Sequence, residues 1–404
     1  MELLIVADDL TGALDTALPF VREGISTRVT ADRTLAAVPL ADDVQVLVVD
    51  AETRHLPSEQ AGHSVAKIVK CAKRLGVRRY MKKTDSALRG NVASELGAML
   101  EASGGKRLCF FPAYPEMGRT TRDGVHFIDG VPLAESAFGR DLLNPVKTSA
   151  VAGLFAGMEG ISVQNVSAGT APFPAGKTRE ILVFDAETAE ELRSGYLNWA
   201  AGEETAVLAG CAGLAGVMAE LWQGPKCAGV VQPVQAKGLL VLCGSLNPVT
   251  QRQLAYAAAN GFCRLRLPLP EQGGLEAPEC QGFLREFERA CRENGRVIVD
   301  TRGSGAEALP LGEGPEWSVR IPKLFGELFV RWTAWRLDQA AFITGGDTLL
   351  GCVHAAGGAI QPVRELFPGV PLNLLETGKG TAPVISKSGG FGAETLLEEI
   401  GRIL

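Results

Sequence analysis

Short apolar runs closed by turn residues recur through the first half of the chain, at residues 3–6, 44–49, 107–111 and 181–184. Each has the length of a buried strand. Between them, residues 60–75 and 91–102 carry their apolar side chains at helical spacing. Strands alternating with helices predict a mainly parallel sheet covered by helices on its faces. Residues 211–221 read as the last helix of this half. The polar, proline-bearing passages Gln223-Gly-Pro-Lys and Gln232-Pro-Val-Gln-Ala-Lys follow, and they set a domain boundary near residue 230.

The pattern then restarts. Gly238-Leu-Leu-Val-Leu-Cys243 is strand-like, and a helix is expected from about Thr250. Residues 296–299 and 341–343 read as further strands, with a long amphipathic helix over 323–337 between them. Residues 268–278, rich in Pro, Gly and Glu, read as an exposed loop. Asp300-Thr-Arg-Gly-Ser-Gly305 is a strand-end turn with one carboxylate, too few for a metal site made by protein alone. A chain of 404 residues exceeds the size at which one core keeps growing. The reading is therefore an α/β protein of two domains, 1–230 and 231–404, each a mainly parallel sheet flanked by helices.

Composition narrows the function classes. The formal charge of −6, without a Lys/Arg-rich tract, argues against a nucleic-acid partner. Glu2 and Asp8 interrupt any signal-like start, and no apolar run is long enough to span a membrane. The nine cysteines contain no CxxC pair and the four histidines no HxxxH pair, which disfavours zinc and fits a reducing, cytoplasmic setting.

Candidate chemistry begins where the first strand ends. In Leu4-Ile-Val-Ala-Asp-Asp-Leu-Thr-Gly-Ala-Leu-Asp15, two adjacent carboxylates stand at a strand's carboxyl end, where ligands bind in open α/β sheets. Asp9 or Thr11 also suits a helix cap, but Asp8 and Asp9 together exceed what a cap needs. Met81-Lys-Lys-Thr-Asp-Ser-Ala-Leu-Arg-Gly-Asn91 gathers Lys82, Lys83, Asp85, Ser86, Arg89 and Asn91. The arginine fork and lysine charge suit an anionic, hydroxyl-bearing substrate, and Gly90 speaks for a shaped loop over a solvated helix start. Residues 112–124 form a proline-stiffened loop that holds Glu116 and Arg119. His126 reads as a half-buried strand residue.

Three glycine-rich turns mark the second half. These are Gly244-Ser245 after the restarted strand, Thr344-Gly-Gly-Asp-Thr348 after another strand, and Ile385-Ser-Lys-Ser-Gly-Gly-Phe-Gly392. Strand-to-helix turns expose backbone N–H groups at a positive helix end and favour phosphate. Lys387 adds a cation, and Asp347 suits Mg²⁺ directly or through water. Neither GxxxxGK[ST] nor a strand-following GxGxxG occurs, so a nucleotide here would be held by another loop system.

Taken in order, these segments resemble the four-carbon acid sugar kinase family, whose members phosphorylate threonate, erythronate or 3-oxo-tetronate with ATP. Ala7-Asp-Asp-Leu-Thr-Gly-Ala13 resembles the family's ADDxTGA, Lys83-Thr-Asp-Ser-Ala-Leu-Arg-Gly-Asn91 its KxDSTLRGN, and Gly118-Arg-Thr-Thr121 with Gly124 its GRTTxxG. Gly244-Ser-Leu-Asn-Pro-Val-Thr250 resembles GSxSxxT, and the other two turns resemble the remaining motifs. Ala87, Asn247 and Leu349 depart from the usual Thr, Ser and Ser.

The resemblance implies an acid-sugar domain followed by a nucleotide domain, the active site in the cleft between them, and ATP and Mg²⁺ as cofactors. Asp8, Asp9 and Asp85 are then the catalytic candidates, Asp9 favoured as the base that accepts the proton of a terminal 4-hydroxyl. Thr11, Lys83, Ser86, Arg89, Gly90, Asn91 and Arg119 would bind substrate. Gly244, Ser245, Gly345, Gly346, Asp347, Thr348, Lys387, Ser388, Gly389 and Gly390 would bind nucleotide. No protein metal site is assigned, Mg²⁺ arriving with ATP. The expected partners are a small sugar acid and ATP, with a homodimer as the assembly. The alternatives are a kinase for a related amino acid such as 4-hydroxythreonine, and a non-catalytic sensor of sugar acid and nucleotide.

Overall fold

A computed structural model describes residues 1–36, 44–141, 144–201, 207–226, 236–270, 272–303, 315–387 and 391–404. The chain divides into two compact units, Met1–Gly229 and Val230–Leu404. The boundary residue expected near 230 itself lies outside the described residues. No described helix is long and apolar enough to cross a membrane.

The first unit runs β1 (Leu3–Ala7), α1 (Leu10–Arg22), β2 (Thr27–Thr30), β3 (Val46–Asp50), α2 (Ser58–Arg74), β4 (Arg79–Lys83), α3 (Val92–Ser103) and β5 (Arg107–Phe111). It continues through β6 (Arg119–Arg122), β7 (Val125–Ile128), β8 (Val131–Pro132), β9 (Ile161–Val166), β10 (Arg179–Phe184), α4 (Ala189–Trp199), β11 (Val207–Gly210) and α5 (Ala212–Glu220). Its main sheet has the order β2-β3-β1-β4-β11-β5-β10-β9, and all of these neighbours are parallel. The run Leu-Leu-Ile-Val-Ala of β1 is buried on both faces, as a central parallel strand requires. Helix α2 buries Ala61, Val65, Ile68, Val69 and Ala72, one face at helical spacing. It packs closely on α3 at Gly62, where a Cβ would stand 2.6 Å from Ser94 Oγ.

Strands β6, β7 and β8 form a separate antiparallel sheet. His126, expected to be half-buried, is fully buried within it, because its ring is walled in by the turn that follows β4.

The second unit runs β12 (Leu239–Cys243), α6 (Pro248–Ala259), β13 (Cys263–Arg266), α7 (Gln281–Glu293), β14 (Arg296–Asp300), α8 (Pro315–Thr333), β15 (Ala340–Thr344), α9 (Gly346–Ala356), β16 (Ala359–Phe367), β17 (Val370–Thr377), β18 (Gly380–Lys387) and α10 (Leu396–Ile403). Its sheet has the order β13-β14-β12-β15-β18-β17-β16. It is parallel from β13 to β18, and β17 then runs antiparallel to both of its neighbours. Helix α8 begins well before the expected residue 323 and runs through Pro322, ending at Thr333. Both units are thus α/β layers with helices flanking a mainly parallel sheet.

Candidate functional site

In the first unit, parallel register sets the site. Ala7 at the end of β1 pairs with Asp50 on one side and with Lys83 on the other. The next residues, Asp8 and Thr84, leave the sheet side by side. Asp9 caps α1, its Oδ1 accepting from Gly12 N–H at 2.8 Å. Arg54, in the loop after β3, ties the cluster together. Its Nε donates to Asp8 Oδ2 at 2.8 Å, its Nη1 donates to Asp9 Oδ2, and its Nη2 stands 3.7 Å from Asp85 Oδ1.

Asp85 is held from the other side as well. Arg89 donates to both of its oxygens, at 2.8 and 3.0 Å, in the two-pronged geometry that suits a carboxylate. Arg89 Nη1 also donates to Asp141 Oδ2 at 3.2 Å, and the guanidinium lies over the Phe138 ring. Arg89, expected to meet the substrate, thus has both prongs of its fork on Asp85.

The three carboxylates differ in charge environment. Burial pushes the Asp8 carboxyl up, but Arg54, Lys82 and Lys83 outweigh it and leave it below the ordinary value. Burial likewise opposes ionisation of Asp85, and the Arg89 hydrogen bonds with the Arg54 charge overcome it by a wide margin. Asp9 ends above the ordinary value, because burial and the adjacent Asp8 charge outweigh Arg54 and Lys83. It is also the most accessible of the three, at 31% side-chain exposure against 2% for Asp8 and 10% for Asp85. Two buried polar atoms of the cluster, Asp8 Oδ1 and Thr84 Oγ1, have no hydrogen-bond partner among the described residues. Native folds seldom leave such groups unmet.

Around this core, Lys83 Nζ donates to Thr84 O at 2.7 Å, and a Cβ on Gly12 would come within 2.9 Å of that ammonium. Thr11 and Ser86 are half-buried, and Gly90 is exposed with φ of +85°. Asn91 Nδ2 donates to Thr53 O and Leu56 O, fixing the loop that carries Arg54. Beneath it lies an ion pair, Lys82 Nζ to Glu95 Oε2 at 3.2 Å, with Thr53 Oγ1 donating to Glu95 Oε1. Arg119 Nη1 is 3.6 Å from Asp129 Oδ1, and it also donates to Met117 O.

Register also gathers the glycine turns of the second unit. Cys243 pairs with Thr344 and with Asp300, and Thr344 pairs with Lys387, so four parallel strands end in one row. The turns that leave β12 and β15 touch. Gly244 N–H donates to Thr344 O at 3.2 Å, and a Cβ on Gly244 would lie 2.1 Å from Thr348 Oγ1. Gly345, at φ of +107°, precedes α9, whose first turn exposes Gly346 and Asp347. Ser245 Oγ accepts from Asn247 N–H, and Asn247 caps α6 through Val249 N–H. Lys387 Nζ donates to Thr250 Oγ1 at 2.9 Å, and burial draws its pKa down to about 8. Ser388, Gly389 and Gly390 lie outside the described residues.

Arg54 is the residue that sequence reasoning missed. It sits in Ala51-Glu-Thr-Arg-His55, which has no motif and no periodicity. The only available signal was strand order, since β3 lies beside β1 and its following loop must reach the Asp8-Asp9 turn.

Comparison with known proteins agrees with this layout. Residues 3–218 match a sugar-binding N-terminal domain family, and residues 240–397 match a nucleotide-binding C-terminal domain family. The chain is 31% identical to a D-threonate kinase of Bordetella bronchiseptica, over 97% of this chain and 95% of the relative. It is 29% identical to a D-threonate kinase of Salmonella typhimurium, over 98% and 97%, and 27% identical to a 3-oxo-tetronate kinase of Brucella melitensis, over 100% and 96%. A solved Salmonella typhimurium structure described as a putative tRNA synthase superposes at a TM-score of 0.79 with 20% identity, covering 99% of this chain and 98% of that one. A Haemophilus influenzae protein does so at 0.73 with 21% identity, covering 99% and 100%. At such identities the structural likeness concerns the fold alone. The two family domains in order, together with relatives aligned along the whole chain, make this protein a member of the four-carbon acid sugar kinase family and a phosphotransferase acting on a hydroxyl group.

Proposed function

We propose that this chain transfers the γ-phosphoryl group of ATP to the terminal 4-hydroxyl of a four-carbon sugar acid, with D-threonate the preferred acceptor among threonate, erythronate and 3-oxo-tetronate. The observation that carries the reading is the Arg54-clamped cluster. It leaves Asp9 as the accessible carboxylate and Asp8 Oδ1 and Thr84 Oγ1 as buried polar atoms in need of partners. The choice of threonate is supported by relatives of that name in Bordetella and Salmonella, aligned over at least 97% of the chain.

In this reading the acceptor hydroxyl attacks the γ-phosphorus, ADP leaves, and the hydroxyl proton passes to Asp9. Phosphoryl transfer of this kind rests mostly on positioning and charge neutralisation. Lys83, Ser86 and Asn91 surround the acid, Arg89 orients Asp85, and Thr11 and Arg119 flank the site. Gly244, Ser245, Gly345, Gly346, Thr348 and Lys387 receive the phosphates. Exposed Asp347, in the first turn of α9, is a carboxylate suited to Mg²⁺ directly or through water, and would hold the ion that arrives with the nucleotide. When bound, Mg²⁺ supplies charge neutralisation on the phosphates.

The test is a coupled assay of ADP release against D-threonate, L-threonate, D-erythronate, 3-oxo-tetronate and 4-hydroxythreonine. D-threonate is expected to give the highest kcat/KM. A preference for 4-hydroxythreonine would overturn the substrate class. ADP release no faster with any acceptor than without one would overturn the kinase reading and favour a sensor.

A further inference from the structure

We infer that His126 is a positioning residue for the acid-binding turn, its imidazole holding the Ser86 carbonyl and through it the backbone that presents Asp85 and Ser86. The inference rests on the reading that the turn after β4 receives the sugar acid.

His126 lies opposite Thr121 in the β6–β7 hairpin, and both side chains are fully buried. Its ring spans the two: Nδ1 is 3.0 Å from Thr121 Oγ1, and Nε2 is 3.0 Å from Ser86 O. The Ser86 carbonyl can only accept, so Nε2 carries the proton. In a neutral ring Nδ1 is then a lone pair, and the Thr121 hydroxyl donates to it. Burial pulls the imidazole down to about 4, which keeps the ring neutral and this tautomer in place. The chain of bonds therefore has one direction, from Thr121 through His126 to Ser86.

The frame behind it is fixed. His126 N–H donates to Ser149 O at 2.8 Å, and Thr121 exchanges backbone bonds with Ala186 at 3.0 and 2.9 Å. The turn in front is shaped and costly to hold. Leu88 sits at φ of +55°, where a branched side chain is strained. Leu88 N–H donates to Asp85 O, while Asp85 Oδ2 accepts from Ala87 and Arg89 N–H. An apolar side chain would fill the His126 site without the cost of burying a polar ring, so the ring's hydrogen bonds are what its presence there supplies. Ser86, half-exposed on this turn, is the hydroxyl whose aim depends on the held carbonyl.

The test compares H126F, which keeps a ring and loses both bonds, with H126Q, whose amide can still donate to Ser86 O. H126F is expected to lower kcat/KM for the sugar acid by roughly 10- to 100-fold, as misplacement of a reacting group does, with KM for ATP unchanged. H126Q should recover most of that loss. Amide exchange over residues 84–91 should quicken in H126F and not in H126Q. Equal impairment of both variants with slow exchange at 84–91 would mean a purely structural histidine and would overturn the inference, as would an H126F enzyme with wild-type kinetics. If wild type turns over no sugar acid, the functional reading fails. The exchange comparison still decides the inference, faster exchange confined to H126F supporting it and unchanged exchange overturning it. Should H126F not fold, T121V takes its place, removing the donor to Nδ1, with the same readings expected in smaller degree.

Discussion

Replacing Arg54 with methionine removes the guanidinium that reaches all three site carboxylates. The Arg54 side chain is 13% exposed and Asp8 is 2% exposed, so their pair is effectively interior. Taking one partner from a buried pair costs ~3–5 kcal/mol, because the other charge is left uncompensated. Asp85 keeps Arg89, and Asp9 has access to water, so the loss concentrates on Asp8 and the lower end applies, about 3 kcal/mol. The pH dependence has a definite sign. Asp8 and Asp85 are held below the ordinary carboxylate value, so their stabilisation is present above about pH 4 and is lost as pH falls through the lowered values. Asp9, held above it, acts in the opposite sense. Without Arg54, only Lys82 and Lys83 oppose burial at Asp8, so its carboxyl rises and the variant takes up protons that wild type refuses. The deficit should therefore be largest near neutrality and narrow as the pH falls below about 5. Urea unfolding at several pH values, followed by circular dichroism, measures it, and Arg54→Lys should fall between the two proteins. A deficit below about 1 kcal/mol, the worth of an exposed pair, or one that does not change with pH, would refute the reasoning.

Two further outcomes follow from the site. Asp9→Asn should lower kcat by about 10²–10⁴-fold with both ligands still bound by calorimetry, as for a lost general base; if Asp85→Asn alone abolishes turnover, the base is Asp85. ATP affinity should weaken as pH rises through about 8, where buried Lys387 loses its charge, and Lys387→Met should remove that dependence in a calorimetric titration.

Apolar runs made the main sheets legible. The all-buried β1 and β12 needed no tertiary information, because a strand covered on both faces reads as a continuous hydrophobic segment. The β6–β8 sheet was not legible: Arg-Thr-Thr-Arg has no apolar alternation, and β8 is two residues long. The β16–β18 meander was hidden by Pro362 and by two register shifts between β16 and β17. At the site, the carboxylates were visible as strand-end residues, whereas their arginine partners were not assignable. Arg54 reaches Asp85 from the loop after β3, which only strand order brings near, whereas Arg89 lies four residues on in the same turn and meets Asp85 only because that turn folds back on itself.

The row formed by Cys243, Thr344 and Lys387 has a consequence for biosynthesis. The central strand β15 is flanked by β12, made long before it, and by β18, made only after the β16–β17 hairpin has been laid down. A nascent chain that has emerged as far as α9 carries two of the glycine turns but not the lysine row-mate. Such non-local pairings are slow to form and expose edges while they wait. The carboxylate cluster is built from residues 8–141, so all of its side chains have been made while the row of glycine turns still lacks its last strand. Translation arrested within β16 or β17 would then release a chain that has made its carboxylate cluster but carries an open edge on β15, a form suited to capture by chaperones.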